Sequence, residues 1–192
     1  MTFRAVPRFK LAHLPAILGY ALLAAAIAAI YGIIHDQVTY SISPEYFTKM
    51  KFNQFHYANF GFPIRVFVAE VGVLATWWVG LVAGWLMARI VVPAVDSATR
   101  FKLISRGIAI MFAIAFAGSL TGYLLGLRRI ADRNIDNWID FRFELGIEDL
   151  SSFIRVAYIH NASYIGGLVG LVVALIYVWR AAKKKPGGLV RN

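Results

Sequence analysis

Four long apolar runs organise this chain. They cover about residues 14–34, 66–88, 107–127 and 156–178, and charged residues bound each of them. A helix of about 20 apolar residues crosses the roughly 30 Å of hydrocarbon in a bilayer. Helices also satisfy their own backbone hydrogen bonds, which lipid cannot do for them. The pattern therefore predicts an all-α fold: a bundle of four transmembrane helices forming a single integral membrane domain over residues 1–192. The first run follows Arg4, Arg8 and Lys10 and contains Ala26-Ile27-Ala28, as a signal peptide would. Its apolar stretch is too long for a signal peptide, so a span is expected.

The connections alternate in length. Those at 35–65 and 128–155 are long, and the one between Arg89 and Arg106 is short. Residues 35–64 hold eight aromatic side chains, more than a loop in bulk water can use. Ser43-Pro44-Glu45 within it is a helix start: a hydroxyl cap, a proline at the first helical position, and an acid at the positive end of the dipole. A helix over about 44–57 is expected, lying in the membrane interface or folded over the bundle. In the other long connection Asp132, Asp136, Asp140, Glu144 and Glu148 recur every fourth residue. On one helix that spacing draws an acidic stripe. The stripe reads either as the solvated face of an amphipathic helix or as a cation- or partner-docking surface over Asp132, Asp136, Asp140 and Glu144.

Composition agrees with the spans: 59% of residues are hydrophobic and 16% charged. The net charge of +10 would suggest a nucleic-acid binder, but its distribution excludes that. Both tails and the short connection together carry twelve basic residues and one acid, Asp96, whereas the long connections are balanced. Lys and Arg are retained on the cytoplasmic side, so both termini are expected in the cytoplasm and the long connections in the periplasm. Membrane lipids are expected partners. The chain has no cysteine, which excludes disulfides, thiolate metal sites and covalent c-type haem.

Ionisable groups at membrane depth are costly and mark function or a buried pair. Glu70 lies five residues past Arg65 in the second span, and His160 five residues past Arg155 in the fourth. Both spans run inward from the same side, so the two residues are expected at one depth. His35 and Asp36 end the first span there, and His56 and Glu45 belong to the helix that could fold over them. His35, His56, Glu70 and His160 are the candidate ligands of a divalent transition metal: zinc, iron, copper or manganese. Asp36, Glu45, Tyr164 and Arg155 are candidate additional ligands or orienting partners. Haem ligation, and a purely structural set of hydrogen bonds, are the alternatives for the same residues. Ser163, Tyr164 and Trp77 are expected to floor a cavity under the outer helix. Glycines at four-residue spacing in the last three spans predict close packing of those spans; homo-oligomerisation or docking to a larger membrane complex is the alternative.

The stretch His35-Asp36-Gln37, Thr39-Tyr40 and Ile42-Ser43-Pro44-Glu45-Tyr46-Phe47 resembles a run found in uncharacterised four-span bacterial membrane proteins. The resemblance covers about thirty residues. It implies a bacterial inner membrane and assigns no activity. Three functions follow as expectations: a periplasm-facing metal site supporting hydrolytic or redox chemistry, a non-enzymatic subunit or assembly factor of a larger complex, and a haem- or lipid-binding protein.

Overall fold

The computed structural model describes residues 10–184. Arg4, Arg8, Lys185 and Arg191, which enter the charge argument, lie outside the described residues. Four long helices carry the chain: α1 (Leu14–Ile42), α2 (Ile64–Val91), α3 (Ser97–Ala131) and α4 (Leu150–Lys184). All four are long and apolar enough to span a membrane. Only 22–33% of their most apolar windows is buried within the protein, so most of the apolar surface faces outward. Leu22, Ile30, Phe116, Leu124, Ile165 and Leu168 are all more than half exposed. Apolar surface on that scale needs an apolar solvent, which suggests a multi-pass membrane protein.

Each helix runs past the apolar stretch that announces it. α1 continues to Ile42, so His35 and Asp36 lie inside it instead of ending it. The reason is visible in the pattern of burial. Gly32, Asp36, Thr39 and Ser43 are all buried, at helical spacing, so the inward face of the helix turns polar without ending. Ser43 then adopts an extended backbone (φ −142°, ψ 97°). Pro44 after it disfavours a helical Ser43 and ends α1 there.

The helices form two pairs, α1 with α2 and α3 with α4. Small residues allow both contacts. A Cβ built on Gly72 would lie 2.5 Å from the Gly32 carbonyl oxygen, and one on Gly118 would lie 2.5 Å from that of Ala162. Gly80 and Gly84 likewise face α1 at Ala24, so the glycines of the second span pack on the first span and not on the third and fourth. The expected grouping of spans two, three and four is corrected on that point. α1 supplies its own small face, with Ala21, Ala24, Ala28 and Gly32 buried.

The turn between α2 and α3, residues 92–96, closes one end of the bundle. Asp96 caps α3 by accepting the Thr99 N–H at 3.0 Å, and those hydrogen bonds hold its carboxyl below the ordinary aspartate value. Both long connections meet at the other end. The first carries helix from 44 onward as expected, but Tyr46–Lys51 is wound as a wider π-helix. It turns Tyr46, Phe47 and Lys51 inward together. The second connection is not one helix. Arg133 takes a left-handed conformation (φ 53°), a 3₁₀ turn covers Asp136–Trp138, and the short helix Ile139–Leu145 stops at Gly146 (φ 61°). The five acids are therefore spread over several elements, with only Asp140 and Glu144 sharing the helix Ile139–Leu145, and draw no continuous stripe. Asp132 pairs with Arg128 at 3.4 Å on the surface, and Asp136, Asp140 and Glu144 are exposed.

Candidate metal centre

A cluster of polar side chains lies where the two helix pairs meet, beneath the first long connection. Its elements come from three places: α1 contributes His35, Asp36 and Thr39, α4 contributes His160 and Tyr164, and the π-helical turn contributes Tyr46, Phe47 and Lys51. His35, Asp36 and His160 each offer one ligand atom such that all three atoms lie within 4.8 Å of one another. These three side chains could hold a metal ion.

The geometry is built from a small number of contacts. Asp36 divides its two oxygens. Oδ2 accepts from the Lys51 ammonium at 2.8 Å, and Oδ1 stands 3.9 Å from His160 Nε2. Both members of the ion pair are buried, with 4% of each side chain exposed. Thr39 Oγ1 donates to the His35 carbonyl oxygen at 3.0 Å and lies 3.2 Å from His160 Nε2. A hydroxyl has one proton, so here the Thr39 oxygen accepts and Nε2 donates. His160 Nδ1 is then the acceptor, facing the Tyr164 hydroxyl at 3.5 Å. His35 meets His160 edge-on with ring centroids 4.7 Å apart, and its buried Nε2 has no hydrogen-bond partner.

Aromatic rings close the cluster from above. Tyr46 stacks on the His160 ring at 4.9 Å and 15°, and Phe47 and Phe153 pack around Tyr46. Burial raises the Tyr46 phenol above its ordinary value, and Tyr164 and Asp36 add to the shift. Burial lowers the Lys51 ammonium below the ordinary lysine value, and the Asp36 carboxylate opposes that shift.

Comparison with known protein families, curated proteins and solved structures finds no match to this chain. The functional argument rests on geometry.

Of the four ligands expected from sequence, His35 and His160 come together. Asp36, expected in a supporting role, joins them directly. His56 lies on an exposed 3₁₀ turn, where its Nδ1 meets the Asn53 carbonyl oxygen at 2.9 Å. Glu70 is half-buried on α2, outside the group, and its Oε2 has no hydrogen-bond partner. Equal depth on two helices placed Glu70 near His160, but depth leaves the facing direction open. The stacked Tyr46 and the edge of His35 fill the His160 surroundings instead.

Glu45 has a different task from ligation. Its two carboxylate oxygens accept the backbone N–H groups of Glu148 (3.0 Å) and Asp149 (2.8 Å), which tie the first long connection to the start of α4. Arg155 donates to Ser152 Oγ at 2.6 Å, one turn earlier on its own helix. Tyr164 presents its hydroxyl to His160 Nδ1 and its ring to the His160 ring. Trp77 is 43% exposed, and Ser163 bonds Tyr31 at 3.2 Å, bridging α1 and α4. The residue that sequence reasoning missed is Lys51. It lies fifteen residues past Asp36 in a segment dense with aromatics, but Lys49 lies in the same segment, so nothing local marked which lysine turns inward to the acid.

Proposed function

We propose that this chain is a multi-pass protein of a bacterial inner membrane that binds one divalent transition metal ion at the periplasmic end of its bundle, through His35, Asp36 and His160. The observation that carries the reading is the convergence of two imidazoles and one carboxylate within 4.8 Å, two of the three residues buried, where the helix pairs meet. Two histidines and a carboxylate are a donor set for zinc, iron, manganese or copper. Ligand atoms around such an ion stand roughly 3–4 Å apart, so a small contraction of the group suffices. The unpartnered Nε2 of His35 fits the same role. Three protein ligands would leave an ion with room for water or substrate, and the chemistry it would supply there is Lewis-acid or redox.

The chain's own residues would then act as supports. Lys51 holds Asp36 by Oδ2 and leaves Oδ1 turned toward His160. Tyr164, beside Nδ1, would fix the orientation of a metal-bound His160, as hydrogen-bonded partners do for ligating histidines. Ligation through Nε2 requires the Nδ1–H form of that ring and release of its bond to Thr39. The Tyr46 ring would cover the His160 side of the group.

A second reading is favoured by Lys51 itself. Its ammonium already neutralises Asp36, so the cluster also suits a purely structural clamp between α1, α4 and the turn that bears Lys51. Metal analysis separates the two. Full-length protein, purified in mild detergent without chelator or metal-affinity column, is expected to carry close to one zinc, iron, manganese or copper per chain. His35→Ala and His160→Ala should each lower that content about tenfold or more, while Glu70→Gln should retain it. Protein that is metal-free and takes up no added zinc, or full retention in both histidine variants, overturns the metal reading in favour of the clamp. A Soret band in the visible spectrum would overturn it in favour of haem.

A further inference from the structure

At the opposite end of the bundle, α4 bears a groove that the metal reading does not use. Val173, Ile176, Tyr177, Arg180, Ala181 and Lys184 line an open depression of about 360 Å³. Their spacing follows one face of the helix, so the lining runs continuously from apolar to cationic. Val173 and Ile176 are exposed at 41% and 46% and lie on the side of the bilayer core. Arg180 and Lys184 follow one and two turns further along, where α4 ends. Neither cation has an ion-pair partner among the described residues. The neighbouring Lys183 is engaged differently: its ammonium lies 3.8 Å from the centroid of the Trp179 ring.

We propose that this groove is a binding site for an anionic glycerophospholipid. The order of the lining matches the order of groups in such a lipid. An acyl chain would lie along Val173 and Ile176, Tyr177 would stand at the glycerol level, and Arg180 and Lys184 would receive the phosphate. A Tyr at the boundary, with its ring in the apolar layer and its hydroxyl in the polar one, suits that depth. Arg offers paired donors to a phosphate and Lys a mobile point charge.

The test uses full-length protein in a mild non-ionic detergent, titrated with phosphatidylglycerol or phosphatidylcholine and read by native mass spectrometry. The site predicts one phosphatidylglycerol retained per chain in preference to phosphatidylcholine. A basic residue near an anionic lipid surface contributes enough for about a fivefold effect, so R180Q/K184Q should weaken phosphatidylglycerol binding roughly 30-fold. Lys183→Gln, off the groove, should change it less than twofold. Val173→Trp keeps both charges and fills the apolar part, and should also remove the retained lipid. Equal binding of the two lipids overturns the proposal. So does unchanged selectivity in R180Q/K184Q. Displacement of the lipid by millimolar glycerol phosphate would overturn it as well, by showing a site for the phosphate alone.

Discussion

Lys51 and Asp36 dominate the residue scale. Each is almost fully buried, and each is tolerable there only because of the other. Removing one partner leaves an uncompensated charge, so Lys51→Ala is expected to destabilise the chelator-treated protein by about 3–5 kcal/mol. Removing both by Lys51→Met with Asp36→Leu should recover most of that loss, because a well-packed apolar pair often replaces a buried ion pair at little cost. Unfolding in mixed micelles with increasing dodecyl sulfate reads both variants. A double variant as unstable as the single one would show that the charges serve packing elsewhere. The histidines around the pair were legible in the sequence as a cluster at one end. The lysine was not, because its burial depends on the inward turn of the π-helical segment, and no local signal of that winding was read in the sequence.

At the scale of elements, the start of α4 is held by two carboxylates. Asp149 accepts the Ser152 N–H at 3.0 Å, and Glu45 reaches across from the other connection to the N–H groups before it. The hydrogen bonds to Ser152 hold the Asp149 carboxyl below its ordinary value of 3.8. A depressed carboxylate stabilises the folded state above the unfolded value and loses that contribution as pH falls through the folded one. The capping contribution of Asp149 is therefore present above about pH 4 and fades below it. Asp149→Ala should cost about 1 kcal/mol at pH 7 and should flatten the loss of stability between pH 5 and about pH 3. A variant whose acid sensitivity equals that of the parent chain would remove the cap from the account. Ser43-Pro44-Glu45 predicted a helix start correctly, and Ser43 Oγ accepts the Tyr46 N–H at 3.4 Å. That Glu45 caps a different helix was beyond reach of local rules, since 103 residues separate it from Glu148.

On the scale of the whole molecule, the fold is two glycine-lined helix pairs joined by an apolar core shared by all four helices and, toward the other end, by a polar contact. Gly72 and Gly118 face the backbone of a partner helix at distances that leave no room for a side chain, while Gly19 and Gly167 have nothing within 4 Å. Gly72→Ala and Gly118→Ala are expected to cost about 1–3 kcal/mol through overpacking, and Gly19→Ala and Gly167→Ala less than about 0.5 kcal/mol. The same micelle unfolding measures all four. Equal effects at the two classes of glycine would contradict the pairing of α1 with α2 and of α3 with α4. The two pairs touch through Tyr31 and Ser163 and through His160 with Thr39. The candidate metal group therefore bridges the pairs, and binding there would brace them against each other.

The sequence by itself determined four apolar helices, their approximate places, the helix start at Ser43-Pro44-Glu45, and the gathering of His35 and His160 at one end. All of these follow from period, length and local backbone chemistry, which act over a few residues. Only the tertiary structure decided that α1 extends past Asp36, that Lys51 enters the cluster, that Glu70 and His56 stay outside it, and that the acids from Asp132 to Glu148 share no single face. Those outcomes depend on which way each helix turns about its own axis and on which small residues let two backbones approach. Depth along a span is written in the order of residues. The direction a side chain faces is settled by the partner it packs against.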